Sequence, residues 1–199
     1  MLTLPLSSPK ETPGRSQVSL SPAGGGSPQG GSGGAQRKPR RDSLREIFVI
    51  VGAGQAGAQA AYTLRERGFA GRIVLLGDEA QAPYQRPPLS KTFLAGGLSV
   101  DRLYLRPLSF YASNDIDLRL HAPVEVIERK VGRVRLHGGT RVEYDRLLIA
   151  TGSRPRMLSI PGGKGVDVHY LRTLQDAFRL RTKIAPGMRV ALAPSSQSP

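Results

Sequence analysis

The sequence predicts an α/β fold, a parallel sheet with an antiparallel β-meander. Three observations predict it. Two β-branched runs, "IFVIV" (47–51) and "RIVLLG" (72–77), flank an Ala-rich helical stretch. Alternating segments separated by Gly-containing turns begin at residue 116. A further apolar run, "LLIAT" (147–151), comes after them.

Residues 1–46 are expected to be a disordered Gly/Ser/Pro-rich basic tail, because "SPAGGGSPQGGSGGAQ" has almost nothing to bury. The "RRDSLREIFVIV" stretch has the look of a twin-arginine export signal, but its apolar run leads straight into a glycine turn and a helix. "IFVIV" suits a strand buried on both faces. "QAGAQAAYTLRERG" reads as a helix with Ala60, Ala61 and Leu64 turned inward and Gly68 as its stop. With "RIVLLG" it makes a βαβ unit, so the sheet is parallel and the crossover right-handed. The three prolines of "PYQRPP" exclude a helix or a central strand there. Helical pieces are expected at 91–98 and 108–114. "IDLRL" (116–120) alternates. "VEVIERK", "RVRLHGG" and "TRVEYDRLLIATG" read as successive strands, with turns at Val131–Gly132 and Gly138–Gly139. They form a meander that feeds the buried strand 147–151. Residues 171–184 have helical spacing, and "MRVALA" (188–193) starts another strand.

Composition narrows the chemistry. The 199 residues make one ordinary domain, or one and a fraction. The absence of Cys excludes disulfides, thiolate metal sites and Cys nucleophiles. His121, His137 and His169 are scattered and form no metal-ligand spacing. No apolar run reaches the length of a membrane span. The net charge of +14 is spread over the chain, and most arginines alternate with acids or apolar residues. Aromatics do not interleave with the basic positions as a stacking surface needs, so no nucleic-acid partner is expected. A basic surface can still steer an acidic protein partner.

The motif with chemistry in it is "VIVGAGQAG". A strand that turns into a helix at Gly52 aims backbone N–H groups and the positive end of the helix dipole at one point, where a pyrophosphate fits. Gly52 allows the sharp turn, Gly54 lets phosphates approach the backbone, and Gly57 lets the helix pack close on the strand. Asp78 lies 21 positions past Gly57, at the end of the second strand, where a carboxylate reaches ribose hydroxyls. A purely structural glycine turn is the other reading, and the strand–helix–strand context with its acid favours dinucleotide binding.

Several motifs in order carry a resemblance: "VIVGAGQAG", "LLGDEAQAPYQRPPLSK", "LYLRP", "YDRLLIATGSRPR" and "YLRTLQDA". From about Phe48 to Ala191 the chain resembles the FAD-binding portion of the ferredoxin/rubredoxin/putidaredoxin reductase family, within the pyridine nucleotide-disulfide oxidoreductase superfamily. The resemblance implies an incomplete Rossmann-type FAD-binding domain over 47–185, with 186–199 as the truncated start of an NAD(P)-binding domain. It implies FAD in the glycine-loop site and NAD(P)H as the substrate of the full-length family. Gly52, Ala53, Gly54, Gln55 and Ala56 match the pyrophosphate loop that Gly57 completes, and Asp78 and Glu79 match the ribose-binding acids. Arg86 matches a contact toward the adenine end and Lys91 one close to the flavin ring, where an ammonium favours the reduced state. On their own they read as an arginine pinned between prolines and an ordinary solvated lysine. Val124 matches a position whose backbone meets adenine, and otherwise reads as strand core. Thr151 and Gly152 match the turn that passes the FAD. Arg172 matches a flavin-domain contact, or is simply a helix-start arginine.

The implied activity is hydride transfer from NAD(P)H to FAD, then single electrons to a ferredoxin-like iron–sulfur protein. The lack of Cys suits this branch over the disulfide reductases. No side chain is assigned a catalytic role. After "MRV" the sequence reads "ALAPSSQSP", without the second glycine loop of the family. A truncated chain, inactive alone and cytoplasmic, is therefore expected. The alternatives are a flavin- or nucleotide-binding module completed by a partner chain, and a basic interaction module without cofactor.

Overall fold

A computed structural model describes residues 46–157 and 167–192. The expected tail falls outside these residues, apart from Glu46, and so do 193–199.

The first βαβ unit forms as its sequence dictates. Strand β1 (Ile47–Val51) runs into helix α1 (Gln55–Glu66), which ends before Gly68 in the left-handed region (φ +80°). Strand β2 (Arg72–Leu76) then pairs parallel to β1, from Ile47 opposite Arg72 to Val51 opposite Leu76. Helix α2 (Leu108–Ser113) leads into β3 (Ile116–Arg119), and β7 (Arg146–Ile149) closes a four-stranded parallel sheet of order β3-β2-β1-β7. Strands β4 (Val124–Glu128), β5 (Arg133–Leu136) and β6 (Arg141–Glu143) form the antiparallel meander. Its turns fall at Gly132, Gly138 and Gly139, all with positive φ.

Strand alternation sorts the core into two layers. Val49, Val51, Val74 and Leu76 face Val134, Leu136 and Val142 of the meander. Ile50, Ile73 and Leu75 face Ala58 and Ala61 of α1 and Tyr111 of α2. The parallel sheet is thus sandwiched between meander and helices, and its two central strands read as continuous apolar runs for that reason. A third cluster joins Tyr84, Leu89, Phe93 and Leu103 to Leu174 and Ala177 of helix α3 (Leu174–Lys183), tying the proline segment to the end of the fold. Arg65 pins the helix side: its guanidinium donates to the carbonyls of Phe69, Gly71, Asn114 and Asp115.

Several expectations need correction. Pro87–Ser90 forms a short 3-10 helix despite its prolines, because Pro at the first helical positions has no N–H to lose. Residues 91–98 make a run of turns, not a helix, closed by bonds such as Ala95 N–H to Lys91 O and Gly97 N–H to Thr92 O. A 3-10 turn at Val100–Arg102 was not expected. The helix expected over 171–184 starts later, at Leu174, because Thr173 is its cap. The last apolar run is an edge strand rather than a buried one, with Ile149 59% exposed. Residues 188–192 form no strand, since they find no ladder partner among the described residues, and Leu192 is 88% exposed.

Candidate functional site

The site lies at the carboxyl ends of the parallel strands, where open α/β sheets bind ligands. Gly52 leaves β1 with φ +112°, and its N–H donates to Leu76 O (2.8 Å). A Cβ there would stand 2.3 Å from Ala150 O, so only glycine lets β7 pass. At Gly57 a Cβ would stand 1.9 Å from Gly52 O, so glycine seats α1 against the turn. At Gly54 a Cβ would meet nothing within 4 Å, and φ is an ordinary −87°. The space above Gly54 is open. Gly54 is also the N-cap of α1, no side chain caps the helix, and its first turn holds no acid. The first N–H groups of α1, from Gln55, Ala56 and Gly57, therefore point at an open place with the helix dipole behind them. Ala53 is fixed by Gly77, where a Cβ would fall 2.7 Å from the Ala53 Cβ.

The two acids after β2 sit differently. Asp78 is exposed and makes no hydrogen bond or ion pair among the described residues. Glu79 is held: its Oε2 accepts from the Tyr84 hydroxyl (2.6 Å) and its Oε1 from Arg86 Nη2 (2.6 Å). Arg86 also donates from Nη1 to Arg172 O (2.6 Å) and stacks over the Tyr84 ring at 5.3 Å. The Tyr84 hydroxyl in turn accepts from Leu174 N–H (2.9 Å) at the start of α3. Burial first, and then the bond to Glu79, push the Tyr84 phenol well above its ordinary range, so it stays a donor.

Arg172 closes the ring of contacts. Its Nε is buried without a hydrogen-bond partner, and its Nη2 lies 3.4 Å from where a Gly152 Cβ would be. Thr151 and Gly152 are exposed, and Gly152 has φ +71°. Helix α3 starts with a capping box, in which Thr173 Oγ1 accepts from Asp176 N–H and Asp176 accepts from Thr173 N–H. Burial alone would raise the Asp176 carboxyl, but the hydrogen bonds from Thr173 and Arg172 outweigh it and hold the carboxyl below its ordinary range.

The fold thus brings together the glycine turn, Asp78, Glu79, Arg86, Gly152 and Arg172. Val124 is half-buried on the meander core. The segment just before it runs beside the acids, with Ala122 N–H on Gly77 O (2.7 Å) and His121 N–H on Glu79 O (3.1 Å). Lys91 is exposed after the proline turn, and nothing links its side chain to the others among the described residues. Sequence reasoning passed over Tyr84, Gly77 and the Thr173–Asp176 cap. The cap was legible as "TLQD", a hydroxyl followed three residues later by an acid. The dual role of Tyr84 had no local signal, since its partner Leu174 lies 90 residues away.

A glycine turn at a strand–helix junction, an acid just past the end of the next strand and a covering meander define a Rossmann-type α/β protein. Residues 47–193 match the pyridine nucleotide-disulphide oxidoreductase family, and the chain belongs to it. It is 51% identical over 150 residues to a probable ferredoxin reductase from Castellaniella defragrans, covering 75% of this chain and 37% of that protein. It is 47% identical to rhodocoxin reductase from Rhodococcus erythropolis, covering 69% and 32%. Among solved structures it superposes on the putidaredoxin reductase–putidaredoxin complex with a TM-score of 0.65 at 42% identity, over 69% of this chain and 34% of that one. A ferredoxin reductase from Rhodopseudomonas palustris gives 0.66, also at 42% identity, over 70% and 34%. The chain spans about a third of the length of these relatives. No helix among the described residues is long and apolar enough to cross a membrane.

Proposed function

We propose that residues 47–185 form the adenosine- and pyrophosphate-binding part of an FAD site. One observation carries this: an uncapped helix start at Gly54, with open space where its Cβ would be, together with an unpaired Asp78 just past the end of the neighbouring strand β2. Gln55, Ala56 and Gly57 offer N–H donors to the pyrophosphate, and Asp78 offers carboxylate oxygens to ribose hydroxyls. Glu79 keeps lone pairs free beside its two bonds, while Tyr84 and Arg86 fix its orientation. The Arg172 guanidinium, with Nη2 beside Gly152 and Nε unpartnered, has donors suited to an acceptor on the cofactor. Val124 and Thr151 line the adenine side and the flavin side, and Lys91 is assigned to the flavin end.

The protein to which this stretch belongs is, in this reading, an NAD(P)H-dependent reductase of a ferredoxin-like iron–sulfur protein. FAD supplies the carrier that accepts a hydride and returns single electrons. The relatives' names, ferredoxin and rhodocoxin reductase, support this acceptor class. Residues 186–199 are assigned to the start of an NAD(P) domain, with the nicotinamide site outside the described residues. Among the described residues β7 is an edge strand with Ile149 exposed, a place where further polypeptide can pair. A complementing chain is one source of that cover. Cytoplasmic location is part of the same proposal.

The test is an FAD titration of the purified chain, read by flavin fluorescence quenching and by the visible spectrum. Saturable binding near one FAD per chain is expected, lost in Gly54→Val. A soluble, folded chain that ignores FAD, or a Gly54→Val variant that binds as well as the parent, overturns the assignment.

A further inference from the structure

Arg172 lies outside every strand and helix, so no ladder fixes its main chain. Instead, Arg86 Nη1 donates to its carbonyl (2.6 Å) and Asp176 Oδ2 accepts from its N–H (3.1 Å). The same Oδ2 accepts from Thr173 N–H (2.8 Å). One carboxylate oxygen therefore closes the α3 cap and reaches back one residue further. A capping box needs only the bond to the cap residue. The extra bond goes to Arg172, whose Nη2 lies beside Gly152 and whose Nε is buried without a hydrogen-bond partner.

The consequence is geometric. An arginine carries its donors on a long, flexible side chain, so they are placed only as well as the backbone beneath them. Here the carbonyl and the N–H of Arg172 are both held by side chains. Arg86, which holds the carbonyl, is bonded through its other terminal nitrogen to Glu79. The Arg172 main chain is thus fixed relative to the acids after β2. A buried donor without a partner is costly until an acceptor meets it. With the Asp176 bond removed, one side of the peptide is free, and the guanidinium can turn to water and satisfy its donors there. That hydrated state competes with binding.

We propose, on the FAD assignment made for residues 47–185, that Asp176 is a positioning residue of the cofactor site. It holds the Arg172 main chain so that the guanidinium stays against the Gly152 turn and meets an acceptor on FAD.

The experiment is FAD titration by flavin fluorescence quenching, with a thermal melt of each variant without FAD. Asp176→Ala should weaken FAD binding about tenfold, the scale of one hydrogen bond from a charged donor. In an Arg172→Ala background the same change should weaken it by no more than about twofold, because the group it positions is gone. Asp176→Asn keeps an oxygen for both amides and should restore affinity to within about twofold of the parent. Thr173→Ala removes the cap hydroxyl but leaves both amide bonds to Asp176, so it should lower Tm and leave FAD affinity unchanged. In Asp176→Ala the Thr173 hydroxyl still accepts from the N–H of position 176, so the helix keeps that part of its cap and the variant should fold. Three results overturn this proposal alone, provided Gly54→Val still abolishes binding: unchanged affinity in Asp176→Ala, a loss that persists in full without Arg172, or an equal loss in Thr173→Ala. A folded parent chain that ignores FAD overturns it together with the FAD assignment.

Discussion

The three glycines of the turn look alike in sequence but should respond differently to alanine. Gly57→Ala gains about 1 kcal/mol of helix propensity. Its Cβ, however, would stand 1.9 Å from Gly52 O and 3.2 Å from Ile50 Cγ2, whereas real Cβ contacts essentially never fall below 3.0 Å. The helix must retreat by about 1 Å from a packed layer, and such overpacking costs about 1–3 kcal/mol or more. At the upper end of that cost, about 3 kcal/mol, which the 1.9 Å approach to backbone favours, the net loss is about 2 kcal/mol, a fall in Tm of roughly 4–8 °C. Gly54→Ala loses up to about 1 kcal/mol as an N-cap change and recovers about 0.4–1 kcal/mol by restricting the unfolded chain. Its Tm should therefore barely move. Its FAD affinity should fall, because a methyl group displaces the phosphates from charge-assisted hydrogen bonds worth about 1.5–3 kcal/mol, roughly ten- to a hundredfold. Thermal unfolding and flavin fluorescence quenching on the same two variants separate the effects. A Gly57→Ala variant with unchanged Tm, or a Gly54→Ala variant that melts as early as Gly57→Ala, would refute the packing argument.

Two further outcomes come from the ring of contacts. Tyr84→Phe removes the hydroxyl that orients Glu79 and strands the buried Leu174 N–H, so denaturant unfolding should show a loss of about 1–3 kcal/mol. An unchanged midpoint would mean water replaces the hydroxyl. Thr173→Ala removes the α3 cap and should cost about 1 kcal/mol. Because the Asp176 carboxyl is depressed in the fold, its contribution is present above the unfolded pKa near 3.8 and is lost as pH falls below it. Asp176→Asn should therefore be less stable than the parent at pH 7, and the gap should close below about pH 4. A gap that persists in acid would assign the effect to packing.

The relation between sequence and structure differs from one element to the next. The βαβ unit was legible because β1 and β2 are buried on both faces and so read as unbroken apolar runs, with glycines where the backbone must turn. The meander was legible from its alternation and from glycines at positive φ. The resemblance supplied the assignment of FAD, Arg86, Val124 and Arg172, which no periodicity contains. Residues 91–98 misled because a helix-like composition was overridden by packing of Phe93 under α3.

What the sequence determined by itself is local: which residues turn, which strands are apolar throughout, and which glycines sit at a helix start. Tertiary structure decided the rest, because those contacts join residues far apart in the chain. It locked Glu79 between Tyr84 and Arg86 and left Asp78 free, though the two acids are neighbours. It set Arg135 against Arg141 through β-strand register. It also made 146–149 an edge rather than a core strand, since burial depends on which strand lies alongside and the apolar run itself does not specify that neighbour.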